Sequence, residues 1–383
     1  MAEWKKTTLE KCTDILGDGL HGTPKYTEGG EYAFINGNNL VNGEILIKKD
    51  TKRVDYSQYE KYKKPLTNRT LLVSINGTLG NVGMYNSEKI ILGKSACYFN
   101  VKEFVDKDFI YYVVSSPIFR QYLEHSATGT TIKNISLKQM REYDFLLPPI
   151  EEQKQISSVL KMIDEKIKNN RRVNENLEQQ AQAIFKSWFI DFDPFGNQKP
   201  SDWSVSTLGN VSAMGAGGDK PQTVSQIKTD LCQYPIYSNG LSEEGLYGFT
   251  DKPKIFEESV TVSARGTIGF VCLRHIPYVP IVRLITLIPK TEIVSAKYLY
   301  LWLKQLHIAG TGTTQQQLTV PDFRKTEILV PVQEIMTLFT TTVEPIFKKI
   351  WTNQSENEKL ASLRDALLPK LMSGELDVST IDF

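Results

Sequence analysis

The chain has 383 residues, of which 40% are apolar, 10% aromatic and 23% charged, enough for two or three domains that each bury a core. Its 45 basic and 44 acidic residues leave a formal charge of +1, which excludes a uniformly basic nucleic-acid coat and an acidic disordered tail, so any charged surface is local. Cys12, Cys97, Cys232 and Cys272 form no C-x-x-C pair, so neither a disulfide scaffold nor a structural zinc site is expected and a reducing compartment is the default. Residues 1–15 lack an apolar stretch of signal-peptide length, and the most apolar run, 276–289, is cut by Arg283 and three prolines. A cytoplasmic protein that does not span a membrane is expected.

Along 1–149, Asn-Gly pairs at 36–37, 42–43 and 76–77 separate short runs rich in Val, Ile, Tyr and Phe, such as Thr70–Ile75. That texture predicts strands joined by turns, with a helix over 109–123 packed on them. Two polar loops stand out as candidate DNA contacts: Ser74, Asn76, Gly77 and Thr78, and then Thr128, Gly129 and Thr130, followed by Lys133. Glycines let backbone N–H groups approach a phosphate, hydroxyls add donors, and asparagine can reach a base edge with two hydrogen bonds. The same glycines could equally serve hairpin geometry alone. The stretch 48–64, KKDTKRVDYSQYEKYKK, sets seven basic residues, Lys48 and Lys49 among them, beside three tyrosines. It suits a face that contacts the DNA backbone, or an exposed charged loop.

After Pro148-Pro149 the texture changes. Ile156, Leu160, Ile163, Ile167, Leu177, Ala181, Ile184 and Trp188 alternate at four and three residues, with Asn170 and Asn174 on the same seam. A helix over 151–190 would be about 60 Å long, more than one domain needs.

The segment 193–331 then repeats 1–149. Trp203 to Leu208 matches Trp4 to Leu9, SVTVSARGTIGFVCL (259–273) matches LLVSINGTLGNVGMY (71–85) with Ser263 on Ser74, and GTGTTQQQLTVPDFRKTEILVP (310–331) matches 127–149. The offset falls from 199 to 189 to 183, so loops shorten in the second copy. A unit of this length occurring twice is a tandem duplication, too long in period for a solenoid. Strands such as Val260–Ser263, an Asn-Gly turn at 239–240 and a helix over 296–306 are expected. The matching candidate contacts are Ser238, Asn239, Ser263, Arg265, Gly266 and Thr267, with Thr311, Gly312, Thr313, Gln315 and Gln316 in the second Gly/Thr loop. Arg265 stands where the first copy has Asn76, so the frame is kept while the side chain changes. Beyond it, Phe339, Val343, Ile346, Ile350, Asn353, Asn357, Leu360, Arg364, Leu367 and Leu371 repeat the heptad, asparagines included. Polar seam residues fix register and partner, so the two helices are expected to face one another; the alternative is that each packs on a separate core. Pro345 requires that the second helix begin near Glu344 or kink there.

No catalytic pattern emerges. His21, His125, His275 and His307 have no metal-ligand spacing. Gly93-Lys94-Ser95 resembles the end of a phosphate loop, but Glu88 stands where its first glycine belongs; an ordinary turn fits better. Neither Asp-Pro-Pro-Tyr, Asn-Pro-Pro-Tyr nor G-x-S-x-G occurs. Two other readings remain open: a nucleotide-binding enzyme centred on Gly93-Lys94-Ser95, and a coiled-coil scaffold with no role on DNA.

The motifs LLPPIEEQKQISSVLKMIDEKI (146–167), AQAIFKSWFIDFDP (181–194), YPIYSNGL (234–241) and LRDALLPKLMSGELDV (363–378), taken with the duplication, resemble the specificity (S) subunits of type I restriction-modification systems. The resemblance implies an α+β chain in four parts: a target-recognition domain at 1–149, a spacer helix at 150–192, a second recognition domain at 193–331 and a C-terminal spacer helix at 332–383. The helices would pack as an antiparallel coiled coil with Asn170, Asn174, Asn353 and Asn357 setting register. Each domain would read half of a split, asymmetric site on double-stranded DNA. Two modification subunits would supply S-adenosylmethionine and adenine methylation, and restriction subunits ATP- and Mg-dependent translocation and cleavage. The chain itself would catalyse nothing and hold no cofactor. Charge is compatible: 1–149 carries 20 basic against 17 acidic residues, 193–331 carries 13 against 12, and 332–383 carries 5 against 8. One departure is LVPVQEIMTLF, where Val332 replaces the second proline and Glu334-Ile335 the Glu-Gln of the first copy.

Overall fold

The computed structural model describes residues 4–129, 132–308 and 317–376; Thr130, Thr311, Gly312, Thr313, Gln315 and Gln316 lie outside them. Two compact units divide the chain, Met1–Asn170 with Ser355–Phe383, and Arg171–Gln354. Two long helices, Ile150–Phe189 and Gln333–Ser373, each give one half to each unit.

In the first unit, an antiparallel sheet runs in the order Thr13–Asp18, Ala96–Val101, Thr70–Ser74, Val82–Met84. The two central strands are buried on both faces, and side-chain alternation divides them between two cores. Leu71, Val73, Cys97 and Phe99 face a cluster that includes Phe109, Ile110, Phe119 and Leu123. Leu72 and Tyr98 face a second cluster on Ala33, Ile35 and Leu92. That second layer is a small sheet in which Tyr32–Ile35 pairs antiparallel with Arg53–Val54 and parallel with Ile90–Leu92. The helix expected over 109–123 is two, Lys107–Ser115 and Pro117–Ser126. Ser116 breaks it because its Oγ accepts from Phe119 N and Pro117 cannot donate backward. The basic stretch 48–64 is no simple loop: Arg53–Val54 is paired, and Asp55 caps a helix over Tyr56–Tyr62 whose Tyr59 stacks on Tyr32 at 4.0 Å.

The second unit repeats both sheets of this plan, but among the described residues has no counterpart of the first unit's hairpin of Leu40–Val41 and Glu44–Ile45. Its main sheet runs Ser212–Ala216, Ile285–Pro289, Ser259–Val262, Val271–Arg274, and Tyr234–Tyr237 pairs antiparallel with Leu246–Thr250 and parallel with Val279–Pro280. In each unit a strand near the start pairs with the last one: Lys5–Thr8 with Asp144–Leu147, and Ser204–Thr207 with Glu327–Val330. The second core differs in one respect. Thr261 and Thr286 occupy the places of Leu72 and Tyr98 and admit a buried polar network. Arg274, only 4% exposed, donates to Thr261 Oγ1 and the Glu244 carbonyl, and its guanidinium lies 3.6 Å from the centre of the Tyr237 ring.

Within the first unit, Ile156 and Leu160 of one long helix and Leu368 and Leu371 of the other join the core. Asn170 donates to Asn357 Oδ1 at 2.9 Å, and Asp164 binds both Arg364 (2.8 Å) and the Tyr112 hydroxyl (2.9 Å). Within the second, Asn353 donates to Asn174 Oδ1 at 2.8 Å and Asn174 donates to the Ile350 carbonyl. In both units partner numbers fall on one helix as they rise on the other, so the pairing is antiparallel. Phe185 and Phe189 are buried against Phe339 and Tyr298, while Trp188, assigned to the seam by its spacing, is half-buried. The second long helix starts at Gln333 rather than near Glu344 and continues past Pro345. That proline is exposed, and the carbonyl it leaves unpaired, on exposed Thr341, can meet water.

The motif departure has a local cause. Gln153, 2% exposed, donates to the Pro148 carbonyl and accepts from Asp106 N. At the 183-residue offset the place of Gln153 falls on Met336, one residue beyond the Ile335 set against it in the motif comparison, and Met336 packs into the apolar core.

Candidate nucleic-acid interface

In each unit, the turn after the third main-sheet strand and the segment before a short helix meet at one edge. In the first, Ser74 N donates to Asn81 O and Gly80 N to Ser74 O. In the second, Ser263 N donates to Phe270 O and Gly269 N to Ser263 O. Gly77 and Gly266 sit at these turn tips with φ of 77° and 66°, a region glycine enters without the Cβ penalty; both are exposed, as are Thr78 and Thr267. The neighbouring segment is tied on by Ile135 N to Ile75 O (2.9 Å) and, equivalently, Leu318 N to Ala264 O (3.0 Å).

The side chains placed on this frame differ between copies. Asn76 Nδ2 donates to Asn134 Oδ1 at 3.0 Å, and Arg265 Nη2 donates to Gln317 Oε1 at 3.2 Å. Each pair joins two polar side chains on the accessible edge. One unit presents two carboxamides and the other a guanidinium with a carboxamide. Thr128 and Gly129 are exposed, Thr128 pairing with Asn134 through both backbone groups, and Lys133 is exposed with its carbonyl accepting from Gly77 N.

Other candidates hold the scaffold. Ser74 and Ser263 are 0% and 1% exposed. The Ser74 hydroxyl donates to Thr78 O and accepts from Asn81 N, closing the turn from within, so the expectation that these serines face DNA is corrected. Asn239 uses its amide at both ends, donating to Val282 O (2.6 Å) and accepting from Ala264 N (2.7 Å). Ser238 is half-buried and paired with Gly245. They position the loops, because their polar atoms are already engaged. Lys48 and Lys49 are exposed in a turn closed by Lys48 N to Thr51 Oγ1.

Sequence reasoning missed part of the first unit's edge. A cleft of about 440 Å³ is lined by Asn76 and Asn134 together with Asp18, His21 and Lys94, and continues into one of about 490 Å³ that adds Asn36. His21 Nε2 lies 2.5 Å from Asp18 Oδ2. Gly19 makes this possible: a Cβ there would come within 2.3 Å of the Gly93 and Leu92 carbonyls, so only glycine lets the strand end approach the Lys94 turn. Lys94 lies on a turn between strands Ile90–Leu92 and Ala96–Val101. A phosphate loop needs a helix next, so the nucleotide-binding reading of Gly93-Lys94-Ser95 fails here. Among the described residues, no group of three or more His, Cys, Asp or Glu could hold a metal, and no helix is long and apolar enough to cross a membrane.

A family model described as the type I restriction modification DNA specificity domain matches residues 1–179 and 200–362. The specificity subunit of a type I restriction enzyme from Methanocaldococcus jannaschii is 26% identical over 425 residues, covering 99% of this chain and 95% of that protein. One from Haemophilus influenzae is 26% identical over 356 residues, covering 70% and 77%. Among solved structures, the S subunit of a type I restriction-modification system from M. genitalium is similar in fold, with a TM-score of 0.57 and 21% identity over 97% of this chain and 96% of that one.

Proposed function

The chain belongs to the type I restriction-modification DNA specificity family, whose members are non-catalytic recognition subunits, and from that premise we propose that it reads a bipartite, asymmetric site on double-stranded DNA. The domains 1–149 and 193–331 each read one half. The observation that carries this is the repeated edge with different side chains, Asn76 with Asn134 and Arg265 with Gln317. Two copies of one frame bearing unlike donors suit two unlike half-sites. Asn76, Gly77, Thr78, Thr128, Gly129 and Lys133 act in the first, with Thr130 completing that loop. Arg265, Gly266 and Thr267 act in the second, joined by Thr311, Gly312, Thr313, Gln315 and Gln316. Lys48 and Lys49 add phosphate contacts.

The paired helices set the unread gap and dock two adenine-methylating modification subunits. S-adenosylmethionine belongs to those partners, and ATP and Mg to the restriction subunits; the assembly acts in the cytoplasm. Replacing residues 1–149 with the corresponding domain of another family member tests the reading. Methylation mapping should find one half-site changed and the other kept; a change in both halves would refute independent readers.

A further inference from the structure

The second unit carries an exposed turn that nothing above uses. Ile281 and Leu284 are buried and close it, Leu284 N donating to Ile281 O at 3.0 Å, while Val282 and Arg283 between them are exposed. Both have left-handed backbones, φ of 51° and 60°. Neither residue type favours that region, and a β-branched valine does so least. The surroundings impose it. Val282 N and Arg283 N donate to Gly218 O and Gly217 O at 2.8 Å each, and the Val282 carbonyl accepts from Asn239. The same Asn239 amide accepts from Ala264 N, so one side chain locks this turn to the turn bearing Arg265. With those backbone groups satisfied, what the turn offers outward is two side chains. Among the described residues no acid or carbonyl pairs with the Arg283 guanidinium. Over-determined surroundings hold this strain in place at the tip of a surface turn.

The first unit gives an independent indication. Its equivalent turn is Gly93-Lys94-Ser95, closed by Ala96 N to Gly93 O at 3.0 Å, with the bridge Leu20 to Gly93 matching that from Gly218 to Ile281. There Lys94, in register with Val282, lines the cleft with Asn76 and Asn134, while Ser95, in register with Arg283, binds Asn36 and Gly37; each turn thus carries one cation, from adjacent positions.

We propose that the Val282-Arg283 turn is a base-reading element of the second unit, with Arg283 a specificity-determining residue whose forked donors address O6 and N7 of a guanine in the major groove. The inference rests on the DNA-reading function proposed above and adds a residue to it. The test is selection from a DNA library randomised over both half-sites, using the full chain assembled with its methyltransferase partners, for the unaltered protein, Arg283→Ala and Arg283→Lys. Arg283→Ala should lower the preference for guanine at one position of one half-site by about 10- to 100-fold and leave every other position unchanged; Arg283→Lys should retain part of it. Uniformly weaker binding with unchanged base preferences and a shallower salt dependence would make Arg283 a phosphate contact and overturn the proposal, as would no effect. An unaltered assembly without base preference in either half would instead overturn the DNA-reading function itself. A melting temperature matching the parent's confirms that the alanine variant is folded; if it is not, the lysine variant decides.

Discussion

Arg274 shows what a buried cation requires. Its guanidinium is held by Thr261 Oγ1, the Glu244 carboxylate and carbonyl and the face of Tyr237, a set that offsets the cost of removing a charge from water. Arg274→Met should destabilise the second unit by about 2–4 kcal/mol, read as faster hydrogen exchange of the Ser259–Val262 amides with those of Thr70–Ser74 unaffected. Beside it, His275 stacks on Trp351 at 4.2 Å. Desolvation on that face, and then the charges of Lys297 and Arg274, push its pKa down to about 4. The unfolded chain therefore binds a proton in the window below the ordinary value of 6.5 that the folded chain refuses. The stability of the second unit should fall as the pH is lowered from about 6.5 towards 4, and His275→Gln should flatten that slope in urea titrations. Burial likewise raises the thiols of Cys12, Cys97 and Cys272, the last to about 12. All four cysteines are buried.

The long helices are legible in sequence through period alone, and the limits of that reading are instructive. Heptad spacing placed Ile156, Leu160, Ala181, Phe339 and Val343 on the buried side, and all five are 0% exposed. It could not choose between Trp188 and Phe189, because near the end of the helix the second recognition domain supplies neighbours as well as the second long helix: Phe189 packs on Trp203 and Tyr298 of the domain and on Phe339 of that helix. The asparagines pair across the seam in both units. Asn353 is 1% exposed, so Asn353→Leu alone should cost about 1–3 kcal/mol by stranding the polar group of Asn174. The double variant Asn174→Leu/Asn353→Leu should recover most of that loss. A double-mutant cycle in urea checks the coupling; additive effects would show that the pair contributes nothing.

For the whole molecule, the consequence of the duplication is that one sequence motif serves two packing environments. Gln153 is a buried amide in the first copy, while Met336 is core in the second. The helices belong to both units, which gives the proposed gap-setting role a direct test. Inserting four residues within 160–180 lengthens a helix by about 6 Å and advances it about 40° beyond a full turn. The unread gap in the recognised site should then lengthen by about one or two base pairs, at ~3.4 Å each, with both half-sites unchanged in methylation mapping. An unchanged gap would remove the helices from that role.

By itself the sequence determined the duplication, the mixed α/β texture of each copy, the two long helices with their paired asparagines, and the family. These follow from local periodicity and from motifs that repeat along the chain, neither of which needs a partner in space to be read. Tertiary structure decided which polar residues face outward. Ser74, Ser263 and Asn239 read in sequence like contact residues, yet Ser74 and Asn239 spend their side-chain donors and acceptors inside the fold and Ser263 is buried. Asn134, Lys94 and Arg283 carried little signal until turns distant in sequence were brought to the same edge. Whether a polar side chain is spent inside the fold or left over for a ligand depends on who its neighbours are, and sheet topology sets that.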